Sequence, residues 1–284
     1  MNQYYDEIMA LKVGDEFKTV VERWRVLSEN IRQFPTDAPV LLPDMLWNAP
    51  SGVGKTKLLQ LMCEYLASKK NLMDFYGDVK FFEFLLGYCP PGSSFTELPR
   101  LMEAVRDAAG FRNEYRGVMH INVGEWLDHF TESHFIAFME YLAANSDKWL
   151  IVLSLHTEEE EKLHHFAAFL SMYIRLERIT LALPDTSDLM TYVDRIFSQY
   201  GLTMDEEARQ LLTATIDTLR KNRYFDGFKS IKMLCQDIVY AVFCRQDRTD
   251  RLTAALLEDF SSDSDYVRRT VANIEKVSRI GFGL

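Results

Sequence analysis

Leu46-Trp47-Asn48-Ala49-Pro50-Ser51-Gly52-Val53-Gly54-Lys55-Thr56 is the stretch that decides how this chain folds. The apolar run 41–47 ends in a short turn, and an amphipathic run from Lys55 to Ser68 follows. Strand, turn and helix therefore succeed one another within thirty residues. The turn matches the pattern G-x-x-x-x-G-K-[ST], with Ala49 in place of the first glycine. Gly52 and Gly54 allow the backbone to curl so that its N–H groups point inward at a phosphate. The helix opening at Lys55 adds the positive end of its dipole. Lys55 has the reach and charge for the β- and γ-phosphates, and the Thr56 hydroxyl suits magnesium. Pro50, Ser51, Gly52, Val53, Gly54, Lys55 and Thr56 are thus the expected binding residues for ATP or ADP with Mg2+, Thr56 being the metal ligand. The competing reading is a glycine-rich strand–helix turn with an incidental lysine; the motif in its strand–loop–helix context favours the phosphate loop.

Outward from this loop, strands alternate with helices. Residues 5–34 read as one helix, with Phe17, Val20, Val21, Trp24 and Leu27 at helical spacing. Strands are expected at 41–47, 79–86, 117–123, 149–155 and 178–183. Helices are expected at 55–68, 96–109, 130–144 and 158–170. Such alternation is the signature of a parallel sheet covered by helices on both faces. From Thr186 onward only helices are expected, at 187–200, 205–221, 226–245 and 252–277. The fold class read from this is α/β: a P-loop parallel sheet over residues 1–185, then a small all-helical lid and C-terminal helix over 186–284.

Composition narrows the function classes. The 284 residues carry 42 Asp plus Glu against 32 Lys plus Arg, a net charge of −10, which makes nucleic acid an unfavourable partner. The run Trp149–Leu155 is much too short to span a bilayer, so no membrane association is expected. Cys63, Cys89, Cys235 and Cys244 form no C-x-x-C pair and read as buried, reduced thiols. With no basic, apolar leader at the N-terminus, a cytoplasmic protein is expected.

Hydrolysis needs more than a phosphate loop. A second strand should end in Asp, to hold the magnesium shell, and often Glu, to orient the attacking water. Gly117-Val118-Met119-His120-Ile121-Asn122-Val123-Gly124-Glu125 is the matching strand, and it ends in Asn122-Val123. Asn122 can bond a metal-bound water but brings no charge. Val123 cannot position water. Glu125 is the nearest carboxylate, either a displaced catalytic base or a cap of the following turn; its two-residue offset favours the cap.

At this point the chain resembles an AAA-plus ATPase of the CbxX/CfqX type, the group of red-type rubisco activases, relatives of the sporulation protein SpoVK and type VII secretion ATPases. Residues 48–56 resemble that family's G-N-P-G-T-G-K-T loop. Residues 117–123 resemble its G-V-L-F-I-D-E strand, with both acids lost. Leu183-Pro184-Asp185 resembles the F-P-D that introduces the lid. Phe225-Asp226-Gly227-Phe228-Lys229, followed by Ile231-Lys232-Met233-Leu234, resembles the lid segment F-G-N-x-R-x-x-R-N-L. The resemblance implies a sensor role for Lys229, where the family has arginine. It places the arginine finger near Met172 or Tyr173, so that Arg175 is either a displaced finger or a surface arginine. His156 and Thr157 stand where the family has its sensor strand's end, with a γ-phosphate contact and a capping role both open. Tyr88 and Phe95 fall where relatives place a loop facing a central pore.

Three functions are consistent with this. The first is an ATP-binding AAA-plus protein with weak or absent hydrolysis, a scaffold or regulatory subunit in a homo-oligomer or in a mixed ring with a catalytic paralogue. The second is an active ATP-driven remodeller of a protein client. The third is a nucleotide-controlled signalling or interaction switch. Asn122, Glu125 and Arg175 are the residues on which catalysis would turn.

Overall fold

The computed structural model describes residues 3–11, 14–34, 40–69, 72, 81–109, 117–146, 148–221, 225–246 and 249–263. The chain divides into two compact units, Met1–Ala182 and Leu183–Leu284.

The first unit opens with helices α1 (Gln3–Ala10) and α2 (Asp15–Gln33). Strand β1 (Asp44–Asn48), helix α3 (Lys55–Ser68), strand β2 (Phe81–Leu85) and helix α4 (Glu97–Ala109) follow. Then come β3 (Gly117–Asn122), α5 (Ser133–Ala143), β4 (Trp149–Leu155), α6 (Glu160–Leu170) and β5 (Leu176–Thr180). The five strands form one sheet in the order β2-β3-β4-β1-β5, and every neighbouring pair is parallel. The unit is therefore α/β with a parallel sheet, the coarse architecture that the alternation of patterns implies.

Period-two alternation in the strands feeds two cores. Met45 and Trp47 of β1, Val118 of β3 and Val152 of β4 face a cluster with Phe17, Trp24, Leu58, Met62 and Leu66 of α2 and α3. Leu46, Met119, Ile121, Ile151 and Leu153 face the opposite cluster, with Leu101, Phe135, Phe138, Leu163 and Phe166 of α4, α5 and α6. β4 lies at the centre and all seven of its residues are buried, which is why Trp149–Leu155 reads as a continuous apolar run.

Several expectations are corrected here. The single helix at 5–34 is two helices. Gly14, extended at φ −49° and ψ 142°, precedes α2. It passes so close to the end of β5 that an added Cβ would lie 2.7 Å from the Thr180 carbonyl oxygen. That contact, together with the Thr180 N–H donating to the Glu16 carboxylate at 2.6 Å, fixes the break. β5 begins two residues before the expected start, because Leu176 pairs with Asp44. Residues 130–132 form turns rather than helix, after a 3-10 turn at Gly124–Trp126. Residues 79–80 of the expected second strand and 264–277 of the expected last helix lie outside the described residues. The four cysteines are free thiols, but only Cys63 and Cys235 are buried, and burial pushes both up to about 12; Cys89 is half-buried and Cys244 exposed.

The second unit holds α7 (Thr186–Gln199), α8 (Glu206–Arg220), α9 (Gly227–Phe243) and α10 (Ala254–Asp263). It is not all helical. Two-residue strands β6 (Thr203–Met204) and β7 (Arg251–Leu252) pair in parallel. Each is too short to produce a periodic signal in the sequence. Asp185 caps α7 by accepting from Asp188 N–H at 2.8 Å, and the Asp188 carboxylate accepts from Asp185 N–H in return. Leu189, Val193, Phe197, Leu212, Ile216, Ile231, Leu234 and Ile238 form the core of this unit.

Candidate functional site

All five strands of the sheet run the same way, so the segments that follow them gather at one edge. β1 leads through residues 49–54 into α3 on one face, and β4 leads into α6 on the other. Adjacent strands whose connections depart to opposite faces leave a crevice at their carboxyl ends, which is where open α/β sheets bind ligands. Asn48 joins the two strands there. Its Nδ2 donates to the Thr157 carbonyl at 2.9 Å, and Thr157 N–H donates to its Oδ1 at 3.0 Å.

The loop that enters this crevice has the conformation its glycines allow. Gly52 and Gly54 have φ of 74° and 88°, a left-handed backbone that side chains disfavour. Ala49 needs no such freedom: among the described residues no non-glycine has positive φ, so alanine replaces the first glycine without strain. Ala49 N–H instead donates to Leu155 O at 2.8 Å, fastening the loop to β4. Lys55 folds back over the loop, its Nζ 3.1 Å from Ala49 O and 2.8 Å from Pro50 O. A cation held over a curl of glycine backbone at a helix N-terminus is the chemistry that phosphate requires. The donor set thus fits a phosphate group.

Thr56, one residue later, places its Oγ1 3.4 and 3.5 Å from the two carboxylate oxygens of Glu83 on β2. Glu83 stands in register with His120 of β3, and its Oε1 lies 3.0 Å from His120 Nδ1. His120 Nε2 lies 2.8 Å from Ser154 Oγ on β4. Burial lowers the His120 pKa, with Lys55 adding to that and Glu83 opposing it. The neutral imidazole then donates from Nδ1 to Glu83 and accepts at Nε2 from the Ser154 hydroxyl. Thr56 and Glu83 are hard oxygen donors of the type magnesium takes. Among the described residues no group of three or more His, Cys, Asp or Glu could hold a metal by itself. An ion here would rely on phosphate oxygens and water for its remaining ligands.

Neither Glu83 nor His120 is conspicuous from sequence motifs. The signal available was a single titratable residue inside each of two apolar strands, Phe81-Phe82-Glu83-Phe84-Leu85 and Val118-Met119-His120-Ile121.

The other expected site residues are placed as follows. Asn122 ends β3 at the same edge, and its Oδ1 accepts from Gly124 N–H at 3.0 Å. Val123 is fully buried in the cluster on the far face of the sheet. The Glu125 carboxylate accepts from Tyr88 N–H at 2.8 Å, tying the segment after β3 to the one after β2. Thr157 Oγ1 accepts from Glu159 N–H at 3.1 Å, a turn contact just ahead of α6 that caps no helical N–H, and His156 is exposed. Tyr88 stacks on His129 with ring centroids 4.0 Å apart, and Phe95 on His134 at 4.9 Å. Arg175 immediately precedes β5, at the sheet edge opposite the 49–54 loop, and its Nη1 lies 3.4 Å from Leu41 O. Lys229 belongs to the second unit, in the first turn of α9, where its Nζ lies 3.2 Å from Asp226 Oδ2.

No family model matches this chain, and no curated protein matches it. Among the described residues no helix is long and apolar enough to cross a membrane.

Proposed function

We propose that the chain is an AAA-plus-like nucleotide-binding protein that holds ATP or ADP with Mg2+ on residues 49–56 and hydrolyses it weakly or not at all. One observation carries this reading: Gly52 and Gly54 curl left-handed beneath the Lys55 ammonium, in the crevice between β1 and β4. Gly52, Val53 and Gly54 offer backbone N–H groups, Lys55 charge, and Thr56 a hydroxyl for the metal. Slow hydrolysis follows from Asn122, which brings no charge, and from Val123, whose side chain is buried away from the edge. A protein of this kind acts as a scaffold or regulatory subunit, as a homo-oligomer or in a mixed ring with a catalytic paralogue.

Calorimetry tests the reading. Lys55→Ala should weaken ATP binding by about 2–5 kcal/mol, because it removes the cation facing the phosphates. Wild-type affinity in that variant would overturn it. A second reading, an active remodeller of a protein client, is favoured by one observation, the Glu83 carboxylate beside Thr56.

A further inference from the structure

We infer that Glu83 of β2 supplies, from the neighbouring strand, the magnesium-shell carboxylate that β3 lacks at Asn122. The inference rests on the nucleotide reading above and names the residue that would face the metal.

Three observations converge on Glu83. The first is its distance from Thr56. Both carboxylate oxygens lie 3.4–3.5 Å from Thr56 Oγ1. That exceeds the ~2.5–3.0 Å of an ordinary O–H···O bond. It also exceeds the ~2.9 Å between adjacent oxygens around a magnesium ion bound at ~2.0–2.1 Å, so the two groups border one position and would close by about half an ångström on a shared ion. Thr56 is the residue whose hydroxyl the phosphate loop directs at the metal, so Glu83 borders that position.

The second observation is orientation. Glu83 is on an edge strand and its side chain is 42% exposed, so it depends on a hydrogen-bond partner to hold it in place. The His120 imidazole does so, through the 3.0 Å contact to Oε1, and Ser154 in turn holds His120. His120 and Ser154 are themselves buried. The third is what stands at the expected position. The Asn122 amide oxygen accepts from Gly124 N–H, so the residue at the end of β3 serves the turn. A carboxylate two positions earlier in register, on the adjacent strand, reaches the same crevice from the side. His120 is the positioning residue in this arrangement and Glu83 the metal-facing one.

The test is the gain in ADP affinity that Mg2+ produces, measured with a fluorescent ADP analogue in Mg2+ and in EDTA. In Glu83→Gln that gain should fall about tenfold or more, as expected for losing a charged partner, while affinity in EDTA should not fall, since the lost carboxylate repels metal-free phosphates. Adding Asn122→Asp to Glu83→Gln should recover most of it, since the charge returns at the strand end; a merely structural role for Glu83 would not be rescued this way. Glu83→Asp, which keeps the charge one methylene further back, should give an intermediate loss. Melting curves confirm that each variant is folded. A Glu83→Gln protein with the wild-type Mg2+ gain overturns the inference while leaving nucleotide binding intact. A wild type that binds no nucleotide in either buffer overturns both.

Discussion

Asn48 and Thr157 exchange two hydrogen bonds across the carboxyl edge of the sheet, at 2.9 and 3.0 Å. They meet where the chain leaves β1 for one face and β4 for the other. The amide satisfies a backbone carbonyl and a backbone N–H that strand pairing does not reach. Asn48→Ala would leave both without a partner in a half-buried place, at a cost of about 1–3 kcal/mol. Asn48→Asp should be no better, because it sets a carboxylate oxygen against the Thr157 carbonyl. Urea unfolding of the two variants checks this; wild-type midpoints in both would show that water takes over the contact.

The loop glycines separate conformation from chemistry. Gly54→Ala forces a side chain into the left-handed region, at about 1–2 kcal/mol, and adds a methyl at the start of α3. The protein should stay folded, with a lower Tm, yet lose nucleotide binding. Restoring the missing first glycine should not bring the gain in binding that the pattern implies. Ala49 is buried and has no positive φ. Ala49→Gly should therefore leave affinity unchanged and lower stability by about 0.5–1 kcal/mol. A gain in ATP affinity for Ala49→Gly would refute the claim that alanine is neutral there.

How much of this was legible in the sequence depends on the range of the signal. The turn 49–54 and the apolar run Trp149–Leu155 are local, and both read correctly from composition and spacing. Glu83 and His120 are not local. They are 37 residues apart and meet only because β2 and β3 pair in one register, which no pattern within either strand dictates. The break at Gly14 was hidden for the same reason: the carbonyl that excludes a side chain there belongs to Thr180, at the other end of the unit. The two-residue strands β6 and β7 are shorter than any period that could mark them.

Asp44 gives the first unit a pH dependence. It is buried at the start of β1, where its Oδ1 accepts from Ile151 N–H at 2.8 Å. Burial raises its pKa to about 7, outweighing that hydrogen bond. In the unfolded chain the value is about 3.9. Because the folded value is the higher one, the folded state holds the proton more tightly. Its contribution to stability is fully present below pH ~4 and is lost as the pH rises through about 7. Asn keeps the acceptor without the charge. Asp44→Asn should therefore be more stable than wild type at pH 8, by about 1–4 kcal/mol, with the difference vanishing near pH 4. Parallel Tm curves for the two proteins across that window would exclude Asp44 as the source.

The end of β3 predicts an asymmetric outcome for repair. Asn122 is exposed, and among the described residues its side chain acts only as an acceptor toward Gly124 N–H, a role that Asp fills equally well. Asn122→Asp should fold normally and strengthen Mg2+-dependent nucleotide binding. Val123 is different, because it is fully buried among Trp126, Ile121 and Leu155. Val123→Glu would put a carboxylate into that apolar cluster, at several kcal/mol. The double variant should melt well below the single one and fail to reach the usual enzyme range of ~1–10³ s⁻¹. A double variant as stable as wild type with rapid ATP turnover would mean that the β3 end can rearrange to expose a base.

Arg175 bears on assembly. It lies just before β5, whereas the 49–54 loop lies just after β1, and the two strands are parallel neighbours. The length of a five-residue strand, about 16 Å, separates the two ends, so this arginine cannot serve the phosphate loop of its own chain. If Arg175 acts on a nucleotide, it acts on that of a neighbour, through the forked, permanently charged guanidinium that phosphate oxygens suit. In that case ATP should promote association. Arg175→Ala should weaken that association while leaving the monomer's stability nearly unchanged, since among the described residues its side chain makes a single long contact, 3.4 Å to Leu41 O. The net charge of −10 opposes close approach of copies, so association should strengthen modestly as salt rises to ~0.15 M. Light scattering with and without ATP, at two protein concentrations and two salt levels, reads all three effects. A strict monomer under every condition would favour the nucleotide-controlled switch over the ring, because a switch needs the loop and Lys55 but no second copy.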